Sequence, residues 1–163
     1  MESFNKISFE KKEEESELKE YERMVPYEEI RQTLDSLKIK DWEEFRFMDE
    51  INLIIFSDNK QAPPVEYFES TLNNGWDIYI SRSLKPRKNK EFMKAILAHE
   101  LAEIAVYEVL LKKHNGDRIA AGQDLHRIGL AFENKYASEN FDKQKQSEFE
   151  AFCREIRQKY NKD

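Results

Sequence analysis

The period of apolar residues changes along the chain and marks three regions. Residues 10–29 carry many charges and few apolar side chains, which predicts a solvated helix. Ile30, Leu34 and Leu37 recur at helical spacing and predict a short amphipathic helix over residues 27–38. After Asp41 the pattern becomes that of strands.

Short strands are predicted in the middle of the chain. Residues 45–56 are rich in aromatic and β-branched side chains and end at a turn cluster. Residues 65–72 and Trp76–Ser81 flank Asn73-Asn74-Gly75, which predicts a β-hairpin. Apolar and polar residues alternate in Trp76–Ser81, so we expect one buried and one wet face and place this strand at a sheet edge.

Three helices are predicted after a basic loop, over residues 90–113, 117–138 and 143–160. Asn115-Gly116 is a helix stop, and Asp117 is an N-cap for the next helix. The fold class is therefore α+β, with a small, mostly antiparallel sheet packed against a pair of helices. We expect one domain over residues 1–163, in which 1–25 form a charged helix or arm and 26–163 a compact core.

Composition narrows the function classes. The chain has 163 residues, 39% hydrophobic and 37% charged, and its net charge of −6 argues against nucleic-acid binding. No run reaches the ~18 apolar residues of a membrane span, and the N-terminus has no apolar core typical of a leader. The single cysteine, Cys153, cannot form an internal disulfide, which fits a cytoplasmic protein.

The helix predicted from Lys90 carries ionisable groups inside its apolar stripe. At about 100° per residue, His99 and Glu103 lie within roughly 40° of each other on the apolar side, and Glu100 flanks them. Burying an imidazole or a carboxylate costs several kcal/mol unless the group is paired or bound to a metal. Three such groups side by side therefore indicate that they are paired or bind a metal.

These groups have the spacing found on the metal-binding helix of zinc hydrolases. The HExxH helix of zinc hydrolases presents two ligands four residues apart, and its glutamate acts as general base on the water that zinc activates. Here the pattern is HExxE. Because carboxylate and imidazole are both normal zinc ligands, His99 and Glu103 are candidate ligands and Glu100 is the candidate catalytic base.

A third ligand is expected from the next helix. Residues 117–138 follow the helix stop and should return alongside the first helix in the antiparallel direction. His126 then comes to lie beside Glu103, so we expect its ring within a few ångströms of His99 and Glu103.

The order of these elements resembles that of the zincin-like metallopeptidases, especially small gluzincins. That family has a strand that pairs with peptide substrate, then the HExxH helix, then a helix with the third ligand; Trp76–Ser81, the HELAE helix and residues 117–138 follow this order. His99 and Glu100 match family positions, whereas Glu103 replaces the second histidine. The resemblance implies zinc-dependent hydrolysis of a peptide or protein substrate, held on Trp76–Ser81 by β-addition.

The departure from the family concerns which helix supplies which ligand. A gluzincin takes a glutamate from its second helix, whereas here His126 and Glu133 face one way. If glutamate and histidine have exchanged helices, His99, Glu103 and His126 rebuild a set of two histidines and one carboxylate; this exchange is our inference and not a family rule. Glu133 then supports the His99 end or is an alternative ligand, and Gly129 leaves room for a close approach.

Two other functions stay open. Glu100-xx-Glu103 and Glu139-xx-Asp142 echo the ExxE and ExxD of MazG-like nucleotide pyrophosphohydrolases, which bind magnesium. A catalytically inactive zincin-like interaction protein is the other, since losing a histidine is a usual way for such a site to degenerate. In a site without metal, His99 and Glu103 would hydrogen-bond each other as a core pair.

Overall fold

The structure is a computed structural model, which describes residues 11–12, 15–17, 19–36, 51–57, 63–70, 75–86 and 88–160. For residues 51–57 it describes the backbone alone. The predicted strand positions 45–50, the end of the helix predicted over residues 27–38 and most of the predicted hairpin turn lie outside the described residues.

The described chain contains a three-stranded sheet and a series of helices, which confirms the α+β class. Residues 19–24 are helical, and a 3₁₀ turn at Arg82–Leu84 follows the last strand. The elements are α1 Tyr27–Ser36, β1 Ile51–Ser57, β2 Val65–Glu69, β3 Trp76–Ser81, α2 Lys90–Lys113, α3 Arg118–Asn140 and α4 Lys143–Tyr160. No helix in this part of the chain is long and apolar enough to cross a membrane.

The sheet has the order β1-β3-β2, with β3 in the middle. The antiparallel pairing of β2 with β3 confirms the predicted hairpin, and β1 pairs with β3 in parallel. The prediction that Trp76–Ser81 is an edge strand with a wet face is therefore wrong. Asp77 and Ser81, assigned to that wet face, are only 7% and 4% exposed. Alternation reports the polarity of side chains, whereas pairing uses the backbone, so the pattern could not reveal the second neighbour.

Helices α2 and α3 form an antiparallel hairpin around which the core is built. Asn115 and Gly116 adopt left-handed conformations, with φ of 53° and 83°, and reverse the chain as predicted. The predicted cap is confirmed as well, because the Asp117 carboxylate accepts hydrogen bonds from the backbone N–H groups of Ile119 and Ala120. The turn and the N-cap together determine where α3 begins and so how it aligns with α2.

Large apolar side chains fill the seam between the two helices and extend to α1, β3 and α4. The fully buried ones include Met93, Leu97 and Leu110 of α2, Ile128 and Tyr136 of α3, Ile30 and Leu34 of α1, and Ile78 and Ile80 of β3. Helix α4 adds Phe149, whose ring packs against Phe92 of α2. The polar side chains on the buried face of α2 are surrounded by these apolar residues.

Candidate metal centre

His99, Glu103 and His126 converge where the middle of α2 faces α3. His99 Nε2 lies 2.8 Å from Glu103 Oε1, and His126 Nδ1 lies 3.9 Å from the same oxygen. The two imidazole rings are 5.1 Å apart between centroids. One ligand atom from each residue can be chosen so that all lie within 4.8 Å of one another. The expected proximity of His126 is thus observed.

These separations fit a small metal ion. Tetrahedral zinc with ligand bonds of about 2.1 Å holds its ligand atoms about 3.4 Å apart, between the two distances above. His99 and Glu103 are buried and fixed, whereas the His126 side chain is 64% exposed, so its ring has room to adjust. The nitrogen and oxygen atoms are ones that zinc accepts.

The His99 ring packs directly against Gly129 of α3. A Cβ placed on Gly129 would lie only 2.3 Å from Cδ2 and 2.5 Å from Nε2 of His99. Atoms that are not bonded cannot approach so closely, so only glycine at this position leaves room for the imidazole against this helix. The group that approaches Gly129 is thus the ring of a candidate ligand.

Further hydrogen bonds hold the candidate ligands from both sides. Glu133 Oε2 lies 2.9 Å from His99 Nδ1, so Glu133 supports the His99 end, one of the two positions expected for it. On the other side, the Tyr67 hydroxyl donates to Glu103 Oε2 at 2.9 Å. The Cys153 thiol in turn donates to Glu133 Oε1 at 3.8 Å. A chain of contacts therefore runs from β2 through α2 and α3 to α4.

No pattern in the sequence indicates that Tyr67 and Cys153 belong to this chain of contacts. Tyr67 precedes Glu103 by 36 residues, and Cys153 follows Glu133 by 20. Both contacts depend on how separate elements pack. The alternation along β2 could only have shown that Tyr67 faces the same side as Val65 and Glu69.

Carboxylates outnumber cations around His99. Burial lowers the pKa of His99, but the hydrogen bonds to Glu103 and Glu133 outweigh it and raise that pKa to about 10. Burial raises the pKa of Glu100 to about 8; the charges of Glu103 and Glu133 add to this shift and His99 opposes it. A divalent cation among these groups would offset the surplus of negative charge.

The flanking groups are tuned mainly by desolvation. Burial raises the pKa of Tyr67 far above its usual value, and the Glu103 carboxylate adds to the shift, so Tyr67 stays a hydrogen-bond donor. Burial also raises the pKa of Cys153 to about 12, which keeps its thiol protonated. Partial desolvation of the half-exposed His126 ring and the charge of His99 lower the pKa of His126. A neutral His126 keeps a nitrogen lone pair for a metal.

The cluster opens into a cavity of about 460 Å³. Its walls are β2, the 3₁₀ turn, α2, α3 and α4, and Glu100 lines it together with the three candidate ligands. Strand β2 ends the three-stranded sheet of the described residues and runs along this cavity. The edge strand beside the site is thus β2, whereas β3 lies one strand further in.

Other residues singled out in the sequence lie elsewhere. His114 pairs with Asp124 at 2.8 Å and does not belong to the cluster. Glu139 accepts a hydrogen bond from the Tyr27 hydroxyl, and Asp142 accepts one from the backbone of Lys145 at the start of α4. Neither acidic residue lines the cavity with Glu100, so the structure does not bring together the two acidic motifs of the magnesium alternative.

In comparisons with known proteins, no family model, no curated protein and no solved structure matches this chain.

Proposed function

We propose that the protein is a zinc-dependent peptidase, with His99, Glu103 and His126 as zinc ligands and Glu100 as general base. The observation that carries the proposal is the convergence of these ligand atoms on one wall of a cavity that Glu100 also lines. Two histidines and one carboxylate are a ligand set of catalytic zinc sites, which leave a position open for water or substrate.

The roles of the residues follow from their contacts. Zinc, when bound, would supply Lewis-acid polarisation of a peptide carbonyl and lower the pKa of a water molecule. Glu100 would take the proton from that water and pass it to the leaving amine. Glu133 holds His99 in one ring orientation, and Tyr67 fixes the second carboxylate oxygen of Glu103.

Strand β2 is the element on which we place the substrate. It pairs with β3 through one of its edges, and its residues Val65, Glu66 and Tyr67 line the cavity. An extended peptide can add to the other edge through main-chain hydrogen bonds. This assignment moves the expected β-addition from Trp76–Ser81 to β2.

Peptide cleavage by the zinc-loaded protein tests the proposal. A mixture of synthetic peptides is incubated with the wild type and with Glu100→Gln, and mass spectrometry follows the products. Glu100→Gln should keep zinc but lose about 10²–10⁴-fold in rate, which is the usual contribution of a general base. Glu108→Gln, an exposed carboxylate of the same helix, is the control and should retain the rate. Loss of zinc from Glu100→Gln would instead make Glu100 a ligand.

A zincin-like interaction protein without activity is the second candidate. The observation in its favour is the direct hydrogen bond between His99 and Glu103, which satisfies both groups without a metal. That candidate predicts no bound zinc and no cleavage of any peptide by the wild type. For either function we place the protein in the cytoplasm, because a single cysteine forms no internal disulfide, which fits a reducing compartment.

A further inference from the structure

The charges that line the cavity are unevenly distributed. Four glutamates line it, and Arg157 is the one lysine or arginine that does so among the described residues. Among the described residues the Arg157 guanidinium has no hydrogen-bond or ion-pair partner, although Glu133 lines the same cavity. Arg157 is solvent-exposed as well as cavity-lining, which places it at the entrance.

Arg157 lies on the wall opposite β2. The chain of contacts from Tyr67 to Cys153 places the candidate ligands His99 and Glu103 between β2 and α4. Arg157 follows Cys153 by four residues, so the two share a face of α4 and lie about 6 Å apart along its axis. An extended peptide spans about 3.3–3.6 Å per residue, so one to three residues cover roughly 3–11 Å, and we place the group that Arg157 contacts within that stretch from the cleaved bond.

Apolar side chains line the cavity as well. They include Leu130 of α3, Ile156 of α4 and Ile96 of α2. Between these residues a substrate finds few polar groups that would contact its charge. The surrounding carboxylates repel an anion, and away from the candidate zinc ligands Arg157 is the one lysine or arginine among the described cavity-lining residues that attracts a negative group of the substrate.

We propose that Arg157 binds a carboxylate of the substrate and so determines its class, an inference that rests on the proposed peptidase function. A guanidinium presents a planar fork that binds carboxylate with two parallel hydrogen bonds. The carboxylate is either the C-terminus of a peptide or the side chain of an aspartate or glutamate close to the cleaved bond. The substrate is thus a peptide with an apolar residue near that bond and a carboxylate within reach of α4.

The test compares peptides that differ only in this charge. Each peptide of an alanine- and leucine-based series is made with a free or an amidated C-terminus, and with glutamate or glutamine within three residues of the central bond. Binding is measured by calorimetry on zinc-loaded Glu100→Gln protein, and cleavage is measured on the wild-type background. Both measurements are repeated with Arg157→Gln and with Arg154→Gln, an exposed arginine of α4 outside this cavity.

The wild type should prefer the carboxylate form by about 10- to 100-fold, the range of a charge-assisted hydrogen bond. Arg157→Gln should lose this preference, and Arg154→Gln should keep it. A preference that depends on the free C-terminus identifies a carboxypeptidase, and one that follows glutamate identifies an acidic side-chain subsite. Equal affinity for the carboxylate and neutral forms, or equal loss in both variants, overturns the role of Arg157. Because binding is measured without turnover, absence of cleavage alone would reject the peptidase and leave this result standing.

Discussion

The ring of His99 is fixed on three sides, which makes this residue the most constrained part of the site. Gly129 lies against one side of the ring, and Glu103 and Glu133 bond its two nitrogens at 2.8 Å and 2.9 Å. A ligand held in this way loses little freedom when it binds a metal, but its raised pKa means that the metal must displace a proton from Nε2.

Gly129→Ala should damage the site. The added Cβ would overlap the His99 ring, and the ring must leave its position between the two glutamates. Overpacking of this kind costs about 1–3 kcal/mol, and loss of the His99 position should weaken zinc binding at least about tenfold. Denaturation and zinc competition titrations measure the two effects.

Gly122→Ala is the matched control, because a Cβ at Gly122 of the same helix meets nothing within 4 Å. It should stabilise the protein by about 0.5–1 kcal/mol through helix propensity and leave zinc affinity unchanged. Equal zinc affinity in Gly129→Ala and Gly122→Ala would mean that zinc binding does not require the close packing of His99 against Gly129.

At this scale the candidate ligands could be predicted from the sequence, and their supports could not. His99 and Glu103 are four residues apart on one helix, so helical geometry alone brings them together. His126 required in addition that the next helix return antiparallel, which the short turn at Asn115 implies. Tyr67 comes from a strand whose packing on α2 no local pattern encodes.

The β2–β3 hairpin contacts a candidate metal ligand through the Tyr67 hydroxyl. The Tyr67 hydroxyl donates to Glu103, and its ring packs edge-on against Trp76 and Tyr107. The hairpin itself was predicted from Asn73-Asn74-Gly75 and two flanking strands. Its place in the sheet was not, because β1 joins β3 from more than 20 residues earlier, and such pairings leave no mark in alternation.

Tyr67→Phe should therefore weaken zinc binding without disrupting the hairpin. The ring contacts remain, while Glu103 Oε2 loses its donor. Removing a hydrogen bond to a metal ligand typically lowers metal affinity about 10- to 100-fold. Tyr79→Phe on β3 is the control, since Tyr79 packs on Phe68 and does not line the cavity. A zinc titration that gives both variants the affinity of the wild type would contradict this role of β2.

For the molecule as a whole, the candidate ligands lie where separate elements meet. His99 and Glu103 come from α2 and His126 from α3, and their hydrogen-bond partners extend to β2 and α4. A ligand that binds only the folded state stabilises it by mass action, by about 2.7 kcal/mol at a concentration 100 times its dissociation constant. Bound zinc should therefore stabilise the whole fold.

Thermal unfolding measures this coupling. For a chain of this size, 2.7 kcal/mol should raise Tm by about 5–10 °C, and a chelator should reverse the rise. Magnesium at the same concentration should leave Tm unchanged, because it favours oxygen ligands and octahedral geometry. A rise with magnesium alone would favour the nucleotide pyrophosphohydrolase instead.

X-ray absorption at the zinc edge, on protein loaded with one equivalent of zinc, tests the central claim most directly. We expect one tightly held zinc ion per chain with two imidazole ligands at about 2.0–2.1 Å and oxygen ligands for the rest. His126→Ala should lose one imidazole from the spectrum, and His114→Ala should change nothing. Protein that binds no zinc, or a spectrum that loses its imidazole in His114→Ala and not in His126→Ala, would contradict the site.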